Sequence, residues 1–234
     1  MHSLRSTARF VLSLGLASLA LAAAGCSDEA PPFPEGQGQA PTPDEAWVED
    51  AYPAGPYGIE KGSVVQNFKF IGFNQPHLDK NGLAEIKMSD FYNPTGSDVY
   101  PEGHPRAGQP KPKALLIAVS AVWCGPCQYE NAEILPVEYA KYGPQGAEFL
   151  LQLADGPTQG VPAEAKHLVS WTTKYKTAWP AVIDPAYKLG ALFEADAYPA
   201  NILIDTTTMK IVESVAGVPE EGGAFFKSLE ALLK

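Results

Sequence analysis

Two cysteines separated by two residues, Cys124 and Cys127, are the side chains of this protein best suited to do chemistry. They stand in the run Trp123-Cys124-Gly125-Pro126-Cys127, and thiols at that separation can close a small, readily reversible disulfide. Ala114-Leu-Leu-Ile-Ala-Val119 just before them is an apolar stretch of buried-strand length, and a helical pattern follows, so Cys124 falls at a strand-to-helix junction. Unpaired backbone N–H groups and the positive end of the helix dipole favour a thiolate there, pulling a thiol down from about 8.5 toward neutrality. Cys124 is therefore the candidate nucleophile. The competing chemistry is half of a zinc site, which needs two further Cys or His at ligand spacing. His77, His104 and His167 are scattered singly and the only other cysteine, Cys26, lies near the N-terminus, so no metal is expected.

The pentapeptide matches the active-site signature of thioredoxin. From about Gly58 to the C-terminus the chain resembles the thioredoxin superfamily, in particular the TlpA/ResA-like extracytoplasmic thiol-disulfide oxidoreductases, the redoxin-domain lipoproteins. That resemblance implies an α/β fold, a thioredoxin-like three-layer sandwich with a mixed central sheet, an N-terminal β-hairpin and a central strand-helix insertion. It implies a cis-proline facing the cysteines, a role that Tyr198-Pro199 fits because an apolar strand ending in Asp205 follows. Trp179-Pro180 competes for the role but fits the preceding strand better. A cis bond there would turn the Tyr198 backbone toward the disulfide, where it could hydrogen-bond an extended substrate segment. Trp123, Tyr198 and Pro199 are accordingly the expected substrate-binding residues, Trp123 by packing beside the disulfide.

Glu130 resembles the Glu of the family pattern CxxCxxE. A carboxylate three residues after Cys127 could carry the proton that this thiol must lose before it attacks, although acids are favoured near helix N-termini in any case. Ala118 favours the functional reading, since thioredoxin itself has a buried acid at that position. Cys124, Cys127 and Glu130 are thus the expected catalytic residues. The family commonly kinks this helix with a proline where Ala132 stands here, whereas Pro136 comes one turn later, which moves the expected bend.

The resemblance further implies a two-step exchange through a mixed disulfide, with no cofactor beyond the Cys124–Cys127 pair itself. Gly125-Pro126 is the thioredoxin dipeptide and favours a reductant of partner disulfides over a disulfide-forming oxidase. Expected partners are disulfide-containing envelope proteins such as apocytochrome c, and a membrane electron donor of the DsbD/CcdA type. Two rivals fit the residues less well. A peroxiredoxin-like peroxidase needs a Pro-x-x-x-Thr/Ser-x-x-Cys context that Val119-Ser-Ala-Val-Trp-Cys124 does not supply, and a Sco-like copper-binding protein uses CxxxC with a distant His. A lipid-anchored binding domain with a purely structural disulfide is the third.

The ends of the chain bear on where this chemistry takes place. Arg5 and Arg9, the apolar run Phe10 to Ala24 and the small residues before Cys26 describe an export signal over 1–25, too short for a comfortable membrane span. Gly25-Cys26 resembles a lipobox, which makes Cys26 the expected lipidation site, anchoring the protein in the cell envelope facing the periplasm; Ser27 fits sorting to the outer membrane. Lipidation of Cys26 would also remove the odd thiol from an oxidising compartment. Residues 26–57, rich in Pro, Gly and acids, read as a tether, and 58–234 as the thioredoxin-like domain. Loss of the leader takes two of 17 Lys+Arg and none of 27 Asp+Glu, so the excess of acids grows from 10 to 12, which disfavours nucleic acid as a partner.

The pattern of the remaining elements predicts strands over 64–71 and 83–88 around Asn81-Gly82, a strand over 114–119, a helix over 125–142 and a strand over 147–153. A helix over 162–176 and a strand over 181–183 follow, then a helix over 186–193, strands over 200–204 and 210–215, and a helix over 220–233. The Pro-rich stretch 93–113 is long for a loop, and it is expected either to flank the site and shape partner choice or to be an exposed insertion without catalytic duty.

Overall fold

The run Ala114–Ala121 is small or apolar at all but one position and forms the central strand of a sheet, buried along its whole length. A strand buried on both faces needs cover above and below, and this requirement organises the molecule. The computed structural model describes residues 52–77, 79, 82–184 and 197–234. In chain order they form β1 (Lys69–Phe73), β2 (Ala84–Lys87), β3 (Ala114–Ala121), α1 (Gly125–Tyr129), α2 (Leu135–Tyr142), β4 (Ala147–Asp155), α3 (Ala165–Tyr175), β5 (Ala181–Ile183), β6 (Ala200–Asp205), β7 (Lys210–Ala216) and α4 (Ala224–Leu232).

The sheet is mixed, in the order β2-β1-β5-β4-β3-β6-β7. β3 pairs parallel with β4 and antiparallel with β6, and β4 pairs parallel with β5. The hairpin β1–β2 extends the sheet through an antiparallel pairing of β1 with β5. Gly72 makes that pairing possible, because a Cβ on it would lie 2.0 Å from the Ala181 carbonyl oxygen. Alternation along the strands sends Leu116, Ala118, Phe149, Leu151 and Leu203 to one face, where they pack with Leu135, Leu168, Trp171 and Phe226 from the helices. Leu115, Ile117, Leu150, Ile202 and Ile204 fill the other face beneath Val64, Val65, Phe68, Met88 and Phe91.

Two expected elements change. The strand expected over 64–71 begins only at Lys69. Ser63 and Val65 bond to Ile211 and Met209 beside β7, whereas β1 lies near the opposite edge, so residues 64–68 must cross the face of the sheet and cannot be one strand. The helix expected over 125–142 is interrupted by a π-helical turn, Glu130–Ile134, in which Leu135 N–H bonds to Glu130 C=O five residues back. Pro136 follows at once; lacking an N–H and crowding the preceding turn, it gives a physical reason for the break at this point.

The Pro-rich stretch 93–113 is an ordered loop at the far end of the sheet from Cys124, so it does not flank the cysteines. Arg106 pairs with buried Glu148 near the start of β4. Asn93 Nδ2 donates to the Pro112 carbonyl at 2.9 Å, and Lys113 N–H bonds to the Gly146 carbonyl at 2.8 Å. These contacts lie before the first residue of β3, while Cys124 follows its last, about 23 Å away at the rise of a strand. Tyr52 and Tyr57, within the segment expected to be tether, pack on the second core, and Tyr52 Oη donates to the Val65 carbonyl at 2.8 Å. The expected export signal, Cys26 and the helix over 186–193 lie outside the described residues.

Candidate active site

β3 ends at Ala121, and the chain turns so that Cys124 N–H bonds to the Ala121 carbonyl at 3.1 Å before α1 begins. Cys124 is the N-cap of α1, with Pro126 in the first turn, where its missing N–H costs nothing. Cys124 and Cys127 form a disulfide with Cα atoms 5.3 Å apart. Cys127 N–H donates to Cys124 Sγ at 3.1 Å. A helix N-terminus with an amide aimed at the sulfur is an environment that stabilises negative charge on Cys124 when the disulfide opens.

Around the pair the structure gathers the other residues singled out within the described region. The peptide bond Tyr198–Pro199 is cis, and Trp179–Pro180 is not. Trp123 meets Tyr198 edge to face, with ring centroids 5.7 Å apart, and both pack against the core that contains the two cysteines. Burial, helped by the charges of Asp155 and Asp184, pushes the Tyr198 hydroxyl up to about 12, so it is a neutral donor at any physiological pH.

Glu130 is fully buried on the sheet side of the helix. Its Oε1 accepts a hydrogen bond from Asn201 Nδ2 at 2.7 Å, and its Oε2 has no partner among the described residues. Burial, only partly offset by the Asn201 bond, raises its carboxyl to about 8. Ala118 stands directly across from Asn201 in the β3–β6 register, so the small side chain leaves room beneath the helix for this polar pair.

Several residues of the site carry no motif. Asp155, at the end of β4, is 2 % exposed, and its Oδ2 accepts Trp123 Nε1–H at 2.9 Å and Gly160 N–H at 2.8 Å. Asn131 donates through Nδ2 to Ser120 Oγ at 3.1 Å and to the Cys127 carbonyl at 3.0 Å, and it accepts from Trp171 Nε1 at 3.2 Å. These bonds tie the first turns of the helix to β3 and α3. Asp155 closing an apolar strand and Asn201 inside another were the available signals, since a polar residue at a core-facing strand position has to find a partner. Among the described residues no group of three or more His, Cys, Asp or Glu could hold a metal ion.

No family model matches this sequence, and no curated protein matches it. Solved structures do. A candidate thiol:disulfide interchange protein, DsbE, from Chlorobium tepidum superposes with a TM-score of 0.53 at 20% identity, over 76% of this chain and 100% of its own. An uncharacterised conserved protein from Geobacillus kaustophilus gives 0.53 at 16% identity, over 75% and 83%. The thioredoxin domain of a thiol-disulfide oxidoreductase from Bacteroides vulgatus gives 0.49 at 17% identity, over 76% and 100%. The mixed sheet, the helix that begins at a CxxC disulfide and the cis-proline before β6 together give this chain a thioredoxin-like fold.

Proposed function

We propose that the protein is a thiol-disulfide oxidoreductase that reduces disulfides of partner proteins through Cys124 and Cys127. The observation that carries this reading is the disulfide at the start of α1, with an amide on Cys124 sulfur and a buried, protonatable carboxyl on the same helix. A disulfide serving only to staple the fold would require neither. The resemblance of WCGPC to thioredoxin, and the likeness of the fold to a candidate thiol:disulfide interchange protein, support the same class.

Each step balances. The Cys124 thiolate attacks one sulfur of the partner disulfide, the partner S–S bond breaks, and the electron pair leaves on the other partner sulfur. Glu130 as carboxylate takes the Cys127 proton. The Cys127 thiolate then attacks Cys124 sulfur and expels the second partner thiolate, leaving the partner reduced and the pair oxidised. An external dithiol must reverse the process, and a membrane donor of the DsbD/CcdA type would supply it. Trp123, Tyr198 and Pro199 would bind the partner segment, with Trp123 held in place by Asp155. No cofactor beyond the disulfide enters these steps. The sequence of residues 1–26 supports export and lipid attachment at Cys26, with partners in the envelope, apocytochrome c among them; among the described residues no helix is long and apolar enough to cross a membrane.

The deciding measurement is the equilibrium reduction potential of the Cys124–Cys127 pair in thiol-disulfide buffers, together with reduction of insulin. A potential near or below about −250 mV with insulin reduction supports the reductase; one near −120 mV makes the protein a disulfide-forming oxidase. Failure to exchange at all would leave a structural disulfide. Mass spectrometry of the mature N-terminus tests acylation of Cys26.

A further inference from the structure

Asn201 is the polar side chain that β6 places beneath the cysteine-bearing helix: Leu203, on the same face, is apolar, Asp205 at the end of the strand bonds to Thr207 and Thr208 of the following turn, and Ala200, Ile202 and Ile204 face the other core. An amide buried completely on a central strand is costly unless it is used. Asn201 spends one N–H on Glu130 Oε1 at 2.7 Å and directs the same nitrogen to the Gly217 carbonyl at 3.4 Å. Gly217 N–H in turn bonds to the Pro199 carbonyl at 2.7 Å, so the amide is braced by the segment that carries the cis-proline.

Two acceptor atoms of this dyad, Glu130 Oε2 and Asn201 Oδ1, have no hydrogen-bond partner among the described residues. Two buried acceptors without a donor describe a site short of one proton. Protonation of Glu130 turns Oε2 into a donor and removes the uncompensated buried charge. Among the described residues the neighbouring elements offer no competing charge: Ala118 of β3 and Val215 of β7 flank Asn201 in register, burial and the Asn201 amide are the influences on the ionisation of Glu130, and Cys127, three residues earlier and so one helical turn away, becomes titratable once the disulfide opens.

We propose that Asn201 is a positioning residue for the proton transfer: by fixing Glu130 Oε1 it leaves Oε2 as the oxygen that holds the proton in the disulfide form and yields it to Cys127 when the disulfide opens. When a reductant thiolate attacks Cys124 sulfur, the S–S bond breaks, its electron pair passes to Cys127 sulfur, and that sulfur takes the proton from Oε2. Glu130 is left as a carboxylate, held by the N–H of Asn201. In the reverse direction the proton returns to Oε2 as Cys127 becomes the attacking thiolate. This rests on the reading of Glu130 as proton carrier given above.

The test is a carboxyl 13C NMR titration of the oxidised protein, with Glu130 assigned by its disappearance in Glu130→Gln, alongside the pH dependence of the exchange rate. Asn201→Leu removes the donor to the carboxylate, and the Glu130 midpoint should rise by about one to two pH units, with the midpoint of the rate profile following it. Asn201→Thr, which keeps a hydroxyl on a strand-compatible side chain, should shift both in the same direction by less, and it serves if the leucine variant does not fold. A Glu130 midpoint that stays put in a folded variant overturns the proposal, even if that variant is less stable. If Glu130→Gln leaves the rate profile as in the wild type, the proton-carrier reading itself fails; if it moves the profile while the Asn201 variants do not, only the role of Asn201 fails.

Discussion

The two ends of the sheet each bury a glutamate, and each solves the problem differently. At the far end Glu148 is held by Arg106, its other oxygen accepts Phe149 N–H at 3.0 Å, and Arg106 lies over the Tyr100 ring at 4.7 Å, itself stacked on His104. Burial pushes the Glu148 carboxyl up, and the Arg106 charge pulls it back. At the cysteine end Glu130, among the described residues, bonds to a neutral amide alone and keeps one oxygen unpartnered. A buried acid with a cation and a full set of bonds is part of the scaffold, whereas one with a single neutral donor can change its protonation without dismantling its surroundings. The same residue type thus pins a loop at one end and is suited to carry a proton at the other.

The sharpest way to break this comparison is at the cysteines. Cys124→Ser should abolish turnover above uncatalysed thiol exchange, while Cys127→Ser should accumulate a mixed disulfide with the partner, seen on non-reducing gels. Neither change should disturb the Arg106 end. Cutting the ion pair there with Arg106→Met leaves Glu148 uncompensated and should cost about 3–5 kcal/mol in denaturant unfolding, with the reduction potential of the cysteine pair unchanged.

Glu130 should show itself through pH. Its folded-state carboxyl, at about 8, lies above the ordinary carboxylate range, so between roughly pH 4.5 and 8 the folded protein retains a proton that the unfolded chain has lost. The stability this contributes is complete below about pH 4.5 and is lost as pH rises toward 8, at about 1.4 kcal/mol per pH unit. Glu130→Gln should remove that slope from the oxidised protein, making it more stable than the wild type at pH 8 while slowing exchange. A slope that survives the substitution would deny the contrast with Glu148.

The smallest effect is expected at Trp123→Phe. The ring contact with Tyr198 survives, the bond to Asp155 is lost, and Asp155 still accepts Gly160 N–H, so the cost should be about 1 kcal/mol of stability. Exchange with a large protein partner should weaken more than exchange with glutathione if the indole is held in place to receive a partner.

Much of the fold was legible because its signals are local. The apolar runs 114–119, 147–153 and 200–204 each read as a strand and each formed one, and 181–183 took its place between the hairpin and β4. Apart from the π-helical turn before Pro136, whose cause is local, the failures arise from long-range geometry. Residues 64–68 have the composition of a strand, but the chain must cross the sheet there to reach β1, which no local pattern reveals. The Pro-rich stretch precedes the cysteines by few residues in sequence, yet the length of β3 separates them, because a buried strand carries the chain from one end of the sheet to the other.

The sequence by itself determined which groups are present: a CxxC at a strand-helix junction, a proline before an apolar strand, an acid one turn after Cys127, and a proline one turn beyond the family position. These are properties of short segments, fixed by residue type and spacing. Only the tertiary structure decided what surrounds them. Glu130 is a buried acid because the helix rests on β3 and β6, and its partner is Asn201, 71 residues away, because Ala118 leaves the space opposite. Trp123 meets Asp155 because parallel pairing of β3 and β4 brings their ends together. Ionisation depends on burial and on neighbours distant in sequence, and those exist only once the strands have found their register.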